Sequence, residues 1–278
     1  MVAQNAMEIN ATVKVESKTI IVEQTIVYKN ESNTVLKDIY LNDWNNSYST
    51  KSTPLAKRFE EEFSTKFHLA KSEQRGFTVI TSIKNENNTP LQHQRLKDHI
   101  DVIKVTLETP LQPNASYSIK LNYQLLIPDA TFTGYGFSKT NDFDLKYWYI
   151  TPAVYDGQWQ YYSNKNLDDL FVPKSDIILR ITHPRNYKVS SELDFNAANS
   201  NNEDKTQTTI LSGKDRIHTY LSLKKLPKYN FVQTDDFILI SNISEKGLQG
   251  PAKALLTDRV TRYLTKHLGT YPHKQLLV

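Results

Sequence analysis

The stretch of chain whose side chains are best suited to binding chemistry runs from Gly134 to Tyr162 and is the most aromatic in the sequence. Within it, a carboxylate, an amide and an indole follow an expected strand at Asp156, Gln158 and Trp159. Aromatic rings with polar tips either fill the end of a sheet sandwich or line a cleft for an organic ligand. Packing is the commoner of the two uses. If the stretch lines a cleft, the candidate substrate-binding residues are Tyr149, Tyr155, Asp156, Gln158 and Trp159.

The seven histidines give no pattern for a metal centre. Two imidazoles chelate one ion from a helix when they lie one turn apart, with a Glu between them in the zinc-peptidase pattern. His93 and His99 are instead separated by a polar stretch, and His267 and His273 lie on either side of a Gly turn. We therefore assign no metal ligand and no catalytic residue in this sequence.

Adjacent carboxylates occur at Asp168-Asp169, at Asp235-Asp236 and at residues 60–62. Neighbouring residues of a strand point to opposite faces, and consecutive residues of a helix spread around its axis. These carboxylates are thus not expected to converge on one site, and solvation at the surface accounts for them. The sequence also lacks a Gly-rich phosphate loop and a Gly-x-Ser-x-Gly nucleophile elbow.

Composition excludes further classes of function. The chain has no cysteine, which rules out disulfides, thiolate zinc sites and cysteine nucleophiles. Its net charge of +4 comes from 34 basic and 30 acidic residues that are scattered along the chain, so nucleic acid is not expected as a partner. No apolar run approaches the roughly 20 residues that span a bilayer, so no transmembrane segment is predicted.

The first residues carry no leader pattern of a basic segment followed by an apolar one. Ala3-Gln-Asn nevertheless looks like the start of a bacterial exported protein whose leader has been removed. A periplasmic or secreted location is favoured in that case, and a cytoplasmic location otherwise.

Most of the chain has the two-residue periodicity of strands, in short runs separated by Asn- and Pro-rich turns. This spacing favours a mainly β fold, an antiparallel β-sandwich. The predicted strands form a meander over residues 7–40 and continue at 77–83, 101–107, 117–127, 175–182, 187–190, 207–211 and 218–223.

Two segments have helical spacing instead. Over residues 54–68, Leu55, Phe59, Phe63 and Phe67 recur every four positions after Ser52-Thr53-Pro54, which predicts one capped helix inserted between strands. A second helix is predicted after Gly250-Pro251 and ends at Gly269. The change of texture predicts a β-sandwich domain at 1–232 and a second part at 233–278.

The order of several motifs resembles that of the aminopeptidase-N-like zinc metallopeptidases, peptidase family M1, over nearly the whole chain. The motifs are Gly134-Tyr-Gly-Phe137 before an aromatic strand, Pro184–Ser191 between two strands, Thr219-Tyr-Leu-Ser-Leu223, and a helix ending in Leu268-Gly-Thr-Tyr-Pro-His-Lys-Gln-Leu276. The resemblance implies a saddle-shaped N-terminal sandwich followed by the truncated start of an α+β thermolysin-like catalytic domain. The segment Asp43–Tyr48 and the helix after it resemble the Bacteroidetes-type branch of the family.

In that family, the Gly-x-Met-Glu-Asn and His-Glu-x-x-His motifs come shortly after the Tyr-Pro-x-Lys-x-Leu segment, and neither occurs here. The resemblance thus implies a fragment that binds no catalytic zinc and hydrolyses nothing, whereas zinc and hydrolase activity are expected in the full-length parent. The fragment's partners would be its own catalytic domain, on which it packs, and a peptide substrate, for which it forms one wall of the cleft.

One position departs from the family pattern. A Thr-Gln pair usually holds the free amino end of the substrate, but this chain has Thr151-Pro152. The resemblance therefore does not extend to exopeptidase specificity. The alternative interpretation of the whole chain is a stand-alone β-sandwich module that binds peptide, carbohydrate or a partner protein through the same aromatic residues.

Overall fold

The computed structural model describes residues 5–166, 169–199, 205–234, 237–241 and 250–277. The strands are β1 (Ala6–Lys14), β2 (Thr19–Lys29), β3 (Leu36–Asn42), β4 (Phe77–Asn85), β5 (His93–Arg95), β6 (Val102–Leu111), β7 (Ser116–Leu126), β8 (Gly136–Phe137), β9 (Phe143–Leu145), β10 (Thr151–Pro152), β11 (Val154–Asp156), β12 (Gln158–Gln160), β13 (Ser175–Pro184), β14 (Lys188–Ser191), β15 (Asp194–Asn199), β16 (Thr206–Arg216), β17 (Leu221–Lys224), β18 (Asn230–Gln233), β19 (Ile238–Ser241) and β20 (Gln275–Leu277). The α-helices are α1 (Pro54–Glu61), α2 (Lys66–Leu69) and α3 (Gly250–Leu268), and short 3-10 helices lie at Trp44–Tyr48 and Ser72–Gln74.

Two sheets enclose the main core. The larger is seven-stranded, in the order β15-β16-β13-β1-β2-β7-β4, and the second is four-stranded, in the order β10-β3-β6-β5. Alternate residues of the longer strands are buried, such as Ile9 in β1, Val22 in β2, Ile39 in β3 and Val105 in β6, and they belong to one apolar cluster. The predicted mainly β fold is confirmed, and the two-residue periodicity places one face of these longer strands in this core.

Strand partners differ in part from the expected antiparallel meander. β1 and β2 form the predicted antiparallel hairpin, but β3 crosses to the second sheet and pairs with β6. In addition, β13 pairs with β1 in parallel, with Ala6 opposite Asp176 and Thr12 opposite Thr182. A long excursion separates these two strands, so no tight turn imposes an antiparallel arrangement.

Smaller sheets complete the chain. One has the order β14-β17-β9-β8, another has the order β18-β19-β20, and β11 pairs with β12 alone. The predicted division of the chain between residues 232 and 233 falls inside β18 and stays a prediction. No helix in the described part of the chain is both long enough and apolar enough to cross a membrane.

The prediction of one helix over residues 54–68 is wrong, because the segment is helical but forms two short helices, α1 and α2. The cap was predicted correctly: the Ala56 amide donates to Thr53 Oγ1 at 3.2 Å. α1 ends in a Schellman motif, in which the Ser64 amide donates to the Phe59 carbonyl and Phe63 adopts a left-handed φ of 56°. Phe63, expected on the apolar stripe, is instead 93% exposed.

The second predicted helix is confirmed as α3. It ends where Gly269 takes a φ of +95°, and the Gly269 amide donates to the Thr265 carbonyl at 3.0 Å. Several of its apolar side chains are about half exposed or more: Leu255, Val260, Tyr263, Leu264 and Leu268.

Candidate functional site

The predicted cluster of acid, amide and indole forms the tip of the β11-β12 hairpin. Tyr155 pairs with Trp159 and Asp156 with Gln158, on either side of Gly157. Gly157 has a φ of +69°, a conformation that side-chain-bearing residues rarely adopt. Asp156 and Gln158 are exposed, so the turn presents a carboxylate and a carboxamide to solvent.

Trp159 packs the hairpin onto both sheets of the sandwich. Its ring lies 5.6 Å from Tyr28 of β2 and 5.5 Å from Tyr40 of β3, and it meets Tyr155 edge-on at 5.3 Å. Burial raises the pKa of Tyr28 to about 12. Tyr40 in turn stacks on Tyr161 at 5.0 Å. These rings therefore contribute to packing between the two sheets.

Tyr149 is separated from solvent. Its side chain is 2% exposed, and its ring meets Trp148 edge-on at 5.4 Å. Burial and then the nearby Glu192 carboxylate raise the pKa of Tyr149 well above its usual range. The structure thus places Tyr155, Asp156, Gln158 and Trp159 on one hairpin and encloses Tyr149 in the core. The role of these five residues in substrate binding stays a prediction.

The Thr151-Pro152 pair forms β10, which is an edge strand of the four-stranded sheet. Thr151 pairs with Asn42 and Pro152 with Leu41, and the Ala153 amide donates to the Tyr40 carbonyl at 2.8 Å. An edge position tolerates proline because its missing N–H does not interrupt a ladder on both sides.

Two cavities that sequence reasoning missed adjoin Trp44. The first, which we call the Trp148 cavity, has a volume of about 350 Å³. It is lined by Trp44, Asn45, Tyr48, Ile127, Pro128, Tyr135, Gly136, Leu145, Lys146, Tyr147, Trp148, Asn164, Asn166 and Asp169. The second, the Phe171 cavity, has a volume of about 660 Å³. It is lined by Trp44, Pro54, Lys57, Arg58, Glu61, Asp98, His99, Tyr162, Ser163, Lys165, Asp169 and Phe171.

Trp44 is held in place by residues distant in the sequence. Its indole N–H donates to the Tyr162 carbonyl at 3.0 Å, and its ring meets Tyr147 edge-on at 5.0 Å. The five predicted site residues line neither of the two cavities. The sequence shows Trp44 as a single tryptophan within an expected insert. No neighbouring residue predicts its contacts with Tyr147 and Tyr162, which lie more than a hundred residues away in the sequence.

A serine and a histidine in the wall of the Phe171 cavity are in hydrogen-bond contact, and the serine also contacts a buried aspartate behind the wall. The Ser163 hydroxyl donates to Asp101 at 2.7 Å and lies 2.8 Å from His99 Nδ1. In a serine-hydrolase triad, the histidine stands between the other two residues and removes the serine proton. Here the serine stands in the middle, and its proton is directed at Asp101. The arrangement therefore lacks the geometry of an activated nucleophile.

Asp101 instead anchors the chain where it leaves the hairpin. It is fully buried, and besides Ser163 it accepts from the Asn164 amide at 2.7 Å. Burial raises the pKa of this carboxyl, although both hydrogen bonds oppose the change. The Asn164 side chain continues the network to Ser47 at 3.1 Å. These bonds set the position of the 163–164 segment between the two cavities.

The Phe171 cavity combines apolar and charged groups. Tyr162 and Phe171 expose about half of their surface beside it, and its rim carries basic Lys57 and Lys165 as well as acidic Asp98. Such a surface suits an extended chain with apolar and charged side chains better than it suits a ligand of one charge sign.

Asp169 lies between the two cavities and is paired with Lys146 at 2.5 Å. This hydrogen bond holds the pKa of Asp169 below its usual range. The other aspartates of the adjacent pairs noted in the sequence, Asp168, Asp235 and Asp236, lie outside the described residues. Within the described ranges, no group of three or more His, Asp or Glu side chains could hold a metal ion.

The architecture is thus a β-sandwich joined to smaller sheets, and α3 lies in the chain between the last two strands of one of them, β19 and β20. This architecture can be compared with known proteins. No protein-family model and no curated protein matches the sequence. Among solved structures, the M1 zinc metallopeptidase of Deinococcus radiodurans is similar with a TM-score of 0.58 and 13% identity, over 99% of this chain and 55% of that one.

Two further solved structures give the same result. An M1 zinc metallopeptidase variant from Deinococcus radiodurans with a bound Tyr-Ser-Ala substrate has a TM-score of 0.58 and 12% identity, over 99% of this chain and 55% of that one. A two-domain M1 zinc metallopeptidase variant with bound L-tryptophan has a TM-score of 0.59 and 13% identity, over 99% and 56%. The chain spans about half the length of the solved structures it matches. At this identity the similarity establishes the fold.

Proposed function

We propose that this chain is a noncatalytic N-terminal part of an M1-like zinc metallopeptidase, packs on a catalytic domain and forms one wall of a peptide cleft. The observation that carries the proposal is the fold similarity, which extends over 99% of this chain but only 55% of an M1 metallopeptidase with a bound tripeptide. A chain that forms about half of a longer enzyme is expected to pack on the other half of that enzyme.

The exposed face of α3 supports a packing role. Leu255, Val260 and Tyr263 recur along one side of the helix and are about half exposed or more. Contact with another domain would remove this apolar surface from water, at about 25 cal/mol per Å² buried. We expect the catalytic domain to cover this face.

The wall of the cleft is the finer part of the proposal. The hairpin tip offers Asp156 and Gln158 as polar groups, while Tyr162 and Phe171 offer exposed rings beside the Phe171 cavity. Polar groups of this kind hold peptide amides, and the rings contact peptide side chains. With Pro152 at the position of the family's Gln, binding of a free amino end would need another group.

Zinc and hydrolase activity are proposed for the longer parent protein and not for this chain, because this sequence contains no His-Glu-x-x-His. Assignment to the Bacteroidetes-type branch is likewise a proposal. The experiment is to express the longer reading frame and to measure its zinc content and its hydrolysis of peptides with free and with acetylated amino ends. Absence of a His-Glu-x-x-His within roughly 50 residues after Val278 would overturn the proposal of an active parent.

The second candidate, a stand-alone binding module, is favoured by one observation: the Phe171 cavity presents the exposed rings of Tyr162 and Phe171 beside charged groups. Limited proteolysis of the purified chain separates the two candidates. Rapid cleavage beyond residue 235 supports the peptidase fragment, because α3 then lacks its covering domain. A fully resistant, monomeric product supports the stand-alone module.

A further inference from the structure

We infer that the Phe171 cavity holds a peptide segment without net charge, whose backbone N–H donates a hydrogen bond to Nε2 of His99. An apolar side chain of the same segment lies against the rings of Tyr162 and Phe171. The inference deepens the proposed function and rests on it only in taking a peptide as the ligand. The cavity volume of about 660 Å³ lies within the range of small-molecule sites.

The hydrogen bonds of the cavity wall decide which nitrogen of His99 carries its proton. Ser163 has a single hydroxyl proton, which it donates to Asp101 at 2.7 Å. Its oxygen lies 2.8 Å from His99 Nδ1 and can only accept there, so Nδ1 carries the hydrogen. In the neutral ring, Nε2 is therefore a bare hydrogen-bond acceptor.

The bare nitrogen of His99 is accessible. The residue is half-buried and lines the Phe171 cavity. Its Nε2 makes no hydrogen bond with the described residues, yet it is not an enclosed atom, so it keeps contact with solvent. A ligand group that meets this nitrogen must supply a donor, such as a peptide N–H.

Two contacts hold the His99 ring in this orientation. Its Nδ1 is tied through Ser163 to the fully buried Asp101, and its ring meets Tyr161 edge-on with 5.4 Å between the centroids. An acceptor that is already positioned loses little side-chain freedom when a ligand binds.

The exposed rings of the cavity supply apolar surface. Tyr162 and Phe171 are 54% and 53% exposed. The Tyr162 hydroxyl donates to Gln160 at 2.8 Å, and the Trp44 indole N–H donates to the Tyr162 carbonyl at 3.0 Å. Because these polar groups are engaged, the rings offer mainly their faces, which suit an apolar side chain.

The charged groups of the lining are equally divided between the two signs. They are Lys57, Arg58 and Lys165, with Glu61, Asp98 and Asp169. Arg58 pairs with Glu61 at 3.3 Å, and Asp169 pairs with Lys146 at 2.5 Å. A ligand of one charge sign would be repelled by part of this lining, which favours a ligand without net charge. A donor N–H, an apolar side chain and no net charge together describe a peptide segment.

The test uses a pair of uncharged probes that differ in their donors. N-acetylphenylalanine methylamide has backbone N–H groups, whereas N-acetyl-N-methylphenylalanine dimethylamide has none. The indole N–H signal of Trp44, which lines the cavity, reports binding in the chain labelled with nitrogen-15, and Trp44→Phe assigns that signal. We expect the first probe to shift the signal in a saturable manner and the second to bind about fivefold more weakly.

His99→Phe keeps a ring beside Tyr161 and removes the acceptor, so this variant should bind the two probes equally. A merely structural role of His99 would weaken both probes and preserve the fivefold ratio. His93→Phe is the matched control, because His93 lies on β5 outside the cavity lining, and it should keep the ratio.

Phe171→Ala tests the apolar contact. It should weaken both probes about fivefold, because both carry the same ring. Phe195→Ala removes a ring that is 63% exposed on β15 but does not line the cavity, and it should leave binding unchanged.

The histidine ring signals of the unaltered chain provide a measurement that needs no variant. Nitrogen-15 spectra in mildly alkaline buffer should show a protonated Nδ1 and a bare Nε2 for His99, and the first probe should shift the Nε2 signal. This measurement still decides the question if His99→Phe does not fold.

Several results would overturn the inference: a Trp44 signal that does not respond to the first probe, equal binding of both probes by the unaltered chain, a preserved ratio in folded His99→Phe, or a protonated Nε2 with a bare Nδ1. These measurements use this chain alone. A longer protein without zinc or peptidase activity would therefore overturn the proposed function and leave them unaffected.

Discussion

The Gln275 side chain donates a hydrogen bond from Nε2 to the Ser191 carbonyl at 3.0 Å, which joins β20 to the end of β14. The same nitrogen also contacts the Leu193 carbonyl. Strands 84 residues apart in sequence are therefore connected through one carboxamide. This hydrogen bond links the three-stranded sheet β18-β19-β20, most of which lies in the predicted second part of the chain, to the sheet that contains β14.

Gln275→Ala should loosen that sheet without unfolding the sandwich. Loss of one hydrogen-bonding group removes about 1 kcal/mol, so the amides of β19 and β20 should exchange about fivefold faster. Hydrogen exchange read by mass spectrometry measures the effect. Gln233→Ala is the control, because among the described residues that side chain donates to the adjacent Thr234 carbonyl and not to another strand. Equal exchange in both variants would argue against the link.

Glu192→Gln should change the pH dependence of stability. Burial raises the pKa of Glu192 from 4.5 to about 7, although the Tyr220 amide donates to it at 2.6 Å. The folded state thus holds this proton more tightly than the unfolded state. The resulting stabilisation is complete below pH 4.5 and is lost as the pH rises through about 7, by up to about 3 kcal/mol.

Gln cannot ionise but retains the acceptor for the Tyr220 amide. We therefore expect Glu192→Gln to match the unaltered protein near pH 4.5 and to exceed its unfolding free energy by about 1–3 kcal/mol at pH 8. Urea denaturation at the two pH values measures this difference. Glu23→Gln, at an exposed position of β2, provides the control. A constant difference between Glu192→Gln and the unaltered protein at both pH values would contradict the assignment.

Phe63→Gly should stabilise the chain. Phe63 has a left-handed φ of 56° at the end of α1, where glycine has no steric penalty, and it is 93% exposed. We expect a gain of about 1 kcal/mol, seen as a higher denaturation midpoint. Phe63→Ala keeps the strain and should gain little. A loss of stability in both variants would mean that the ring makes a stabilising contact, and a loss in Phe63→Gly alone would contradict the strain assigned to this position.

Asp101→Ala should release the segment between the two cavities. It removes the acceptor for the Ser163 hydroxyl and the Asn164 amide, both bound at 2.7 Å. Two buried donors left unpaired should cost about 2–4 kcal/mol of unfolding free energy. Ser163→Ala removes only one of the two donors and should cost less. Equal losses in the two variants would show that the Asn164 bond contributes nothing.

Leu255→Gln tests the face of α3. Leu255 is 53% exposed, so in this chain the change should alter stability by less than about 0.5 kcal/mol. In the longer protein the same residue should be buried, and the variant should lose about 2 kcal/mol. Denaturation of both forms measures the pair of effects, and equal small losses would argue against a covering domain.

The sequence predicted local structure well where adjacent residues decide it. The alternation in β1 and β2 indicates one buried face whatever sheet they join, and the Thr53 cap and the Gly269 stop act within one helical turn. The exception is Phe63, whose spacing fits a helix although the backbone turns there. At Gly157 the sequence indicates a loop with clustered polar groups, but it does not predict that β11 pairs with β12 there.

What the sequence alone determined is therefore the type of each element and the mainly β class, because periodicity and capping are properties of neighbouring residues. Only the tertiary structure decided partners. It moved β3 to the second sheet, set β13 parallel to β1, packed Trp159 between Tyr28 and Tyr40, and brought Trp44 to Tyr162 beside two cavities. Contacts between segments far apart depend on how whole sheets pack, and no local pattern encodes them.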